Sequence, residues 1–237
     1  MYQRGGLPLR EVAAAARSLV GLVRPGIGRA IYRLVLEDLR RELLALVNEA
    51  VPDPELRARM TRRYDLALAR RLTPPRVVDR FARLLDRHDW PTAAAAGEDG
   101  AQAAFELVML CAPDDATIAR RAAKLLSAAV GQREASRMHE ALLVDRIRLL
   151  EGGRQLCGTQ YDWGEDGELR PLPIADLAGL EAVRREAGLP KLGDDTRRER
   201  LEATDNDERA PQDLEAHREA QRQRATAAGW RESDVLD

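Results

Sequence analysis

The stretch IGRAIYRLVLEDLRRELLALVNEAV, from Ile27 to Val51, decides the fold class. Its apolar residues recur at Ile27, Ile31, Leu34, Val35, Leu39, Leu43, Leu46, Val47 and Val51. Steps of three and four residues place them on one face of a long amphipathic helix. Pro52-Asp53-Pro54 ends the run, and Asp53 is placed to cap a following helix with Pro54 in its first turn. Upstream, Leu9 to Arg24 reads as a short helix stopped by the breaker pair Pro25-Gly26.

Downstream the same period predicts helices over Glu55–Leu72 and, after Thr73-Pro74-Pro75, over Arg76–Arg87. Pro91 biases Trp90 towards an extended conformation, so helix stops near His88-Asp89-Trp90. Gly97-Glu98-Asp99-Gly100 reads as a turn before an apolar helix over Ala101–Cys111. Pro113-Asp114-Asp115 caps a helix through Val130 with Gly131 as its stop, and Glu134–Leu150 forms the next, closed by Gly152-Gly153. The pattern then changes. Gln155–Tyr161 and Glu168–Leu172 read as short strands around a Gly- and Asp-rich loop, the second demoted to an edge by Pro171 and Pro173. A helix over Ile174–Ala187 follows. The expectation is a mainly α protein, a helical bundle with one small β-hairpin near residues 155–172. Residues 1–26 form an N-terminal extension, 27–193 the core domain, and 194–237 a charged tail too poor in apolar residues to offset its ordering entropy. That tail is expected to be disordered or partly helical, with Leu214–Ala228 the helical part.

Thirty-eight basic and forty acidic side chains nearly cancel, for a formal charge of −2. That balance, with an aromatic content of 4%, argues against a broadly basic nucleic-acid binder and against a base-stacking surface. No apolar run approaches the roughly 20 residues of a membrane span, and Arg10, Glu11 and Arg17 interrupt any signal-peptide core. Cys111 and Cys157 have no metal-ligand spacing and read as two free buried thiols. These features predict a cytoplasmic protein. Lys124 and Lys191 are the only lysines, a skew that fits a GC-rich genome.

Phosphate loops, nucleophile elbows, zinc motifs and paired cysteines are missing from the sequence, so neither metal nor cofactor is expected. The candidate residues lie elsewhere. Asp145 and Arg146 follow Ala141-Leu142-Leu143-Val144 and carry charge beside the core, where they need partners. They form either a structural ion pair or a donor fork, Arg146 held by Asp145, for an anionic ligand. Gln155, Thr159 and Gln160 around Gly158 either line a polar pocket or satisfy buried backbone. His88 is a candidate acid or base, or a helix C-terminal cap, and Trp90 helps to frame the concavity. Cys157 lacks a neighbour that would lower its pKa.

The order His88-Asp89-Trp90-Pro91-Thr92, Gly97-Glu98-Asp99-Gly100, Ala103-Ala104-Phe105, Asp145-Arg146, Glu151-Gly152, Gln155–Gln160 and Arg184–Leu189 resembles the bacterial family known as domain of unknown function 6624, over about Glu37–Leu192. The resemblance attaches no activity. Against the family pattern, Met109-Leu110 stands where Gln-His is common. Asn48-Glu49-Ala50-Val51 falls where an Asp-Gln pair is frequent, and Pro74 and Val77 where Asp and Asn tend to stand. The resemblance thus implies a site that has lost polar groups and keeps Arg146, Gln155, Thr159 and Gln160. The expected function is binding or processing of a small polar or anionic molecule. The alternative is a non-catalytic scaffold that holds a protein partner through its N-terminal helices and the 194–237 tail; no nucleic-acid or membrane partner is expected.

Overall fold

The computed structural model describes residues 25–231, with side chains from residue 37 onward except at positions 66, 67 and 70. The helix expected over Leu9–Arg24 and residues 232–237 lie outside the described residues. Helix α1 spans Pro25–Ala50, and Leu39, Leu43, Leu46, Val47 and Val51 of the predicted stripe are buried. Asp53 caps α2 (Pro54–Met60), its carboxylate accepting the Glu55 N–H at 2.9 Å.

The single helix expected over Glu55–Leu72 is two: α2, then α3 (Leu66–Leu72). Between them the backbone is spent on long-range pairing. The Tyr161 N–H donates to the Arg62 carbonyl and the Tyr64 N–H to the Tyr161 carbonyl, both at 2.9 Å. Asp65 then restarts the helix by accepting the Leu68 N–H at 2.8 Å. Helix α4 spans Pro75–His88, with Val77, Val78, Phe81, Leu84 and Leu85 facing inward.

Helix α5 (Ala93–Cys111) begins before the expected turn, and the turn survives as a kink at Gly97, whose φ of 73° no helix accommodates. Every residue from Ala103 to Cys111 is buried, which makes α5 the central helix, with α1 packed along it. Met109 and Leu110 belong to this core. Asp115 caps α6 (Ala116–Gly131) and Ser136 caps α7 (Arg137–Leu150). Helix α7 starts later than Glu134 because the Glu134 N–H closes the end of α6 on the Ala129 carbonyl at 2.9 Å, past Arg133 in the left-handed region (φ 63°).

Strands β1 (Tyr161–Trp163) and β2 (Leu169–Pro171) form the antiparallel hairpin, with Asp162 opposite Arg170. It is shorter than expected. Gln155 makes one isolated bridge to Ile174, and residues 156–159 form a loop. The helix expected from Ile174 is confined to α8 (Leu180–Glu186).

The charged C-terminal region is ordered structure built onto the core, as α9 (Leu192–Asp205) and α10 (Leu214–Ala227). The boundary drawn at residue 194 falls in the first turn of α9. The scarcity of apolar residues there predicts disorder or partial helix, with Leu214–Ala228 as the helical part; α10 coincides with that part, and α9 is a further helix. The stripe that α9 buries is Asp195, Glu199 and Ala203, two carboxylates and one methyl, neutralised by arginines from other elements. Helix α10 buries Gln221 and Ala225. Beyond it, Trp230 is 4% exposed and donates its indole N–H to the Ala112 carbonyl at 2.8 Å. Among the described residues no helix is long and apolar enough to cross a membrane.

Candidate functional site

The structure gathers Asp145, Arg146, Gln155, Thr159 and Gln160 into one buried polar cluster. Consecutive positions on α7 send Asp145 and Arg146 in different directions, and among the described residues no ion pair joins them. The Asp145 carboxylate accepts the backbone N–H groups of Leu156 (2.7 Å), Cys157 (3.1 Å) and Thr159 (3.0 Å), and the Thr159 hydroxyl at 2.9 Å. It thereby holds the 156–159 loop. Arg146 donates from Nε to Gln160 Oε1 (2.8 Å), from Nη1 to the Met109 carbonyl (2.7 Å), and from Nη2 to the carbonyls of Met60 (2.7 Å) and Arg63 (2.8 Å). Burial lowers its pKa to about 10, so the guanidinium stays charged at neutral pH. Gln155 bonds the backbone of Gln160 in both directions, and Gln160 Nε2 donates to the Thr61 carbonyl at 3.0 Å. The cluster is turned onto the protein's own backbone, and it fastens the 60–63 segment to α5, α7 and β1.

Gly158 is required in the held loop. Its φ is +65°, and a Cβ there would stand 2.7 Å from Ile174 Cδ1. Cys157 is buried and outside any disulfide, and burial followed by the Asp145 charge raises its pKa to about 11, so it is a thiol at neutral pH. Arg184, with no exposed surface, donates to the Cys157 and Gly158 carbonyls at 2.5 and 3.1 Å and pairs with Asp195 at 2.6 Å. Asp195 also pairs with Arg62 and Arg198, and Glu199 with Arg63.

Trp90 and His88 lie apart from this cluster. Trp90 is 5% exposed within the main hydrophobic core. His88 lines a separate open hollow between α1 and α4 with Asp38, Glu42, Arg80 and Arg87, and burial followed by the Arg87 charge lowers its pKa.

Directly outside the cluster the described residues form a cleft of about 330 Å³. Leu56, Met60 and Leu68 give it an apolar wall, and Arg59, Arg63, Asp65, Asp162, Glu208, Arg209 and His217 its charged or ionisable groups, Asp65 being the cap of α3. The carbonyls of Met60 and Arg63 that Arg146 binds belong to residues of this wall, so Arg146 braces the cleft from behind. His217 Nε2 lies 3.1 Å from Asp162 Oδ1. Arg59 Nε and Arg63 Nε reach the two oxygens of Glu208 at 3.2 and 3.3 Å. Arg209 is exposed and makes no ion pair among the described residues. Tyr64, also in the lining, has its pKa pushed up to about 12 by burial and keeps its phenolic proton.

The hydrogen bond that the protonated His217 ring donates to the Asp162 carboxylate, outweighing partial burial, raises the His217 pKa; the charges of Asp162 and Asp65 add to the rise and Arg218 opposes it. In the unfolded chain a histidine titrates at about 6.5. The folded state therefore binds the proton more tightly. The pair's contribution to stability is complete below that value and is lost as pH rises through the raised one. The melting temperature of the wild type is expected to fall more between about pH 6 and about pH 9 than that of Asp162→Asn. Parallel curves would show that the pair contributes nothing.

Sequence reasoning missed these cleft residues because they come from four distant segments. His217 had one local signal: His217, Gln221 and Ala225 recur every four residues, and the last two are buried. Arg59 and Arg63 share that spacing on the segment read as one helix over Glu55–Leu72.

No curated protein and no solved structure matches the chain. The model of a family of unknown function, DUF6624, matches residues 37–204, which include the whole polar cluster and the Arg59, Arg63 and Asp162 side of the cleft but not Glu208, Arg209 or His217. The match spans most of the described fold, and the chain therefore belongs to the DUF6624 family.

Proposed function

We propose that the protein binds a small anionic molecule in the cleft beside the Arg146 cluster. The observation that carries this reading is the juxtaposition, in one hollow of about 330 Å³, of an apolar wall with Arg59, Arg209 and the His217–Asp162 pair. A few convergent polar groups on an otherwise apolar concavity are the usual make-up of a small-molecule site, and volumes start at about 300 Å³. Guanidinium groups suit a carboxylate or phosphate, and a histidine paired with a carboxylate can hold or release a proton near neutral pH. Asp145, Arg146, Gln155, Thr159 and Gln160 act in this reading as positioning residues, keeping the wall at Met60 and Arg63 in place. The free state of Cys111 and Cys157 supports a reducing, cytoplasmic setting for the protein.

Native mass spectrometry of the protein purified from its own host tests the reading. A stoichiometric small-molecule adduct is expected, and it should be lost in the double variant Arg59→Ala/Arg209→Ala, whose side chains make no ion pair among the described residues other than Arg59 to Glu208. A bare chain, an adduct that the variant keeps, or a chain carrying another protein in place of a small molecule would overturn it.

A further inference from the structure

The segment joining α9 to α10 forms a strap that lines the cleft with Glu208, Arg209 and Pro211. The same segment lines a second hollow of about 220 Å³, and both hollows share Trp163, Leu169, Glu208 and Arg209. Two residues past the end of α9, Asp207 stands at a φ of 51°, in the left-handed region, and the Glu208 N–H closes on the Ala203 carbonyl at 2.9 Å. That reversal turns the chain off the helix and delivers the Glu208 side chain to the cleft. Its two carboxylate oxygens take one arginine each, Oε1 on Arg59 and Oε2 on Arg63. An oxyanion between two guanidinium groups is the arrangement a carboxylate or phosphate ligand would adopt.

The grip is loose. Contacts of 3.2 and 3.3 Å exceed the roughly 2.7–2.9 Å of a tight charge-assisted bond. Arg184 and Asp195, which are fully buried, meet at 2.6 Å by comparison. The Glu208 side chain is also 26% exposed, so water can replace its partners. The two arginines lie inside residues 37–204, the segment that the family model matches, and Glu208 lies beyond it.

We propose that Glu208 is an internal plug: its carboxylate occupies the seat on Arg59 and Arg63 that the oxyanion of the ligand takes, and the strap lifts to admit the ligand and join the two hollows. This rests on the cleft being a binding site and adds which groups receive the anion and what competes for them. A ligand that must displace a resident group binds with an apparent affinity reduced by the fraction of time the seat is open.

The experiment titrates inorganic phosphate, and separately acetate, into the wild type, Glu208→Gln, Glu208→Ala and Glu208→Gln/Arg59→Ala at constant ionic strength. Phosphate binding is followed by ³¹P line broadening and acetate binding by saturation-transfer NMR. Both Glu208 variants are expected to bind at least one of the two anions about tenfold more tightly than the wild type, as removal of a competitor that fills the seat about nine-tenths of the time requires. The added Arg59→Ala should abolish the gain. Circular dichroism shows whether each variant is folded, and the milder glutamine and the alanine changes check one another. Binding by both Glu208 variants no tighter than wild type, or a gain that survives Arg59→Ala, overturns the plug. If that occurs while the adduct of the native protein is still lost in Arg59→Ala/Arg209→Ala, the cleft remains a binding site and only the plug fails. If that adduct is absent as well, both readings fail.

Discussion

Arg146→Ala is expected to remove most of the stability of the protein. The guanidinium is 1% exposed and satisfies Gln160 Oε1 and the carbonyls of Met60, Arg63 and Met109. Alanine reaches none of them, and the space it leaves is lined by acceptors without donors. Each buried group left unpaired costs about 1–3 kcal/mol, so the loss is about 4 kcal/mol or more. A whole domain has only about 5–15 kcal/mol to lose. Lysine should recover a minor part, because one ammonium cannot reproduce a planar fork that bonds from three nitrogens. Urea denaturation of the wild type, Arg146→Ala and Arg146→Lys measures this. An alanine variant that stays within about 1 kcal/mol of wild type would show that the protein does not depend on the cluster. If such a variant also lost the native adduct, Arg146 would be a ligand contact and not a brace.

The second large effect is expected at Asp195. It has no exposed surface and pairs with Arg184, also fully buried, with Arg62 and with Arg198. Removing one partner of a buried ion pair leaves the other charge stranded and typically costs about 3–5 kcal/mol. Asp195→Ala strands Arg184 beneath α9 and should free α9 and the strap before the rest of the domain unfolds. Hydrogen exchange is the discriminating measurement, with protection across residues 192–231 expected to fall further than protection in α5. Uniform loss across the chain would mean that α9 and the core unfold as one unit. The double variant Asp195→Ala/Arg184→Met should recover part of the loss, because it removes the stranded charge together with its partner.

Asp145 and Arg146 were legible as residues in need of partners, since two charges interrupt an apolar helical run. Their partners were not legible. Asp145 binds a loop 11–14 residues away, and Arg146 reaches carbonyls 83, 86 and 37 residues away that every residue type possesses. The strand reading separated Gln155 and Thr159 from Gln160 on opposite faces. The loop around Gly158 brings all three side chains inside, because of the run 155–161 only Tyr161 belongs to a strand. Helix α10 coincides with the helical part expected at Leu214–Ala228, whereas α9 was not legible, because an apolar stripe is what marks a helix in a sequence and the stripe that α9 buries is acidic. A carboxylate is acceptable in the interior when a guanidinium meets it, and of those that meet this stripe Arg184 lies 11 residues from Asp195 while Arg62 and Arg63 lie 133 and 136 residues from their partners.

The sequence by itself determined the helical class, the caps at Asp53 and Asp115, the stop at Gly131, the hairpin and the family. All but the family, which rests on the order of motifs along the chain, depend on neighbours within a few residues, through the 3.6-residue period, a capping carboxylate or a Gly-Pro break. Only the tertiary structure decided that the helix after Pro54 breaks at 61–65, that the charged C-terminal region folds back on the core, and that Arg59, Arg63, Asp162, Glu208 and His217 share one cleft. Those outcomes depend on pairing backbone and charge across separations of 50 to more than 150 residues, and local pattern carries no information about which distant group will be there to pair.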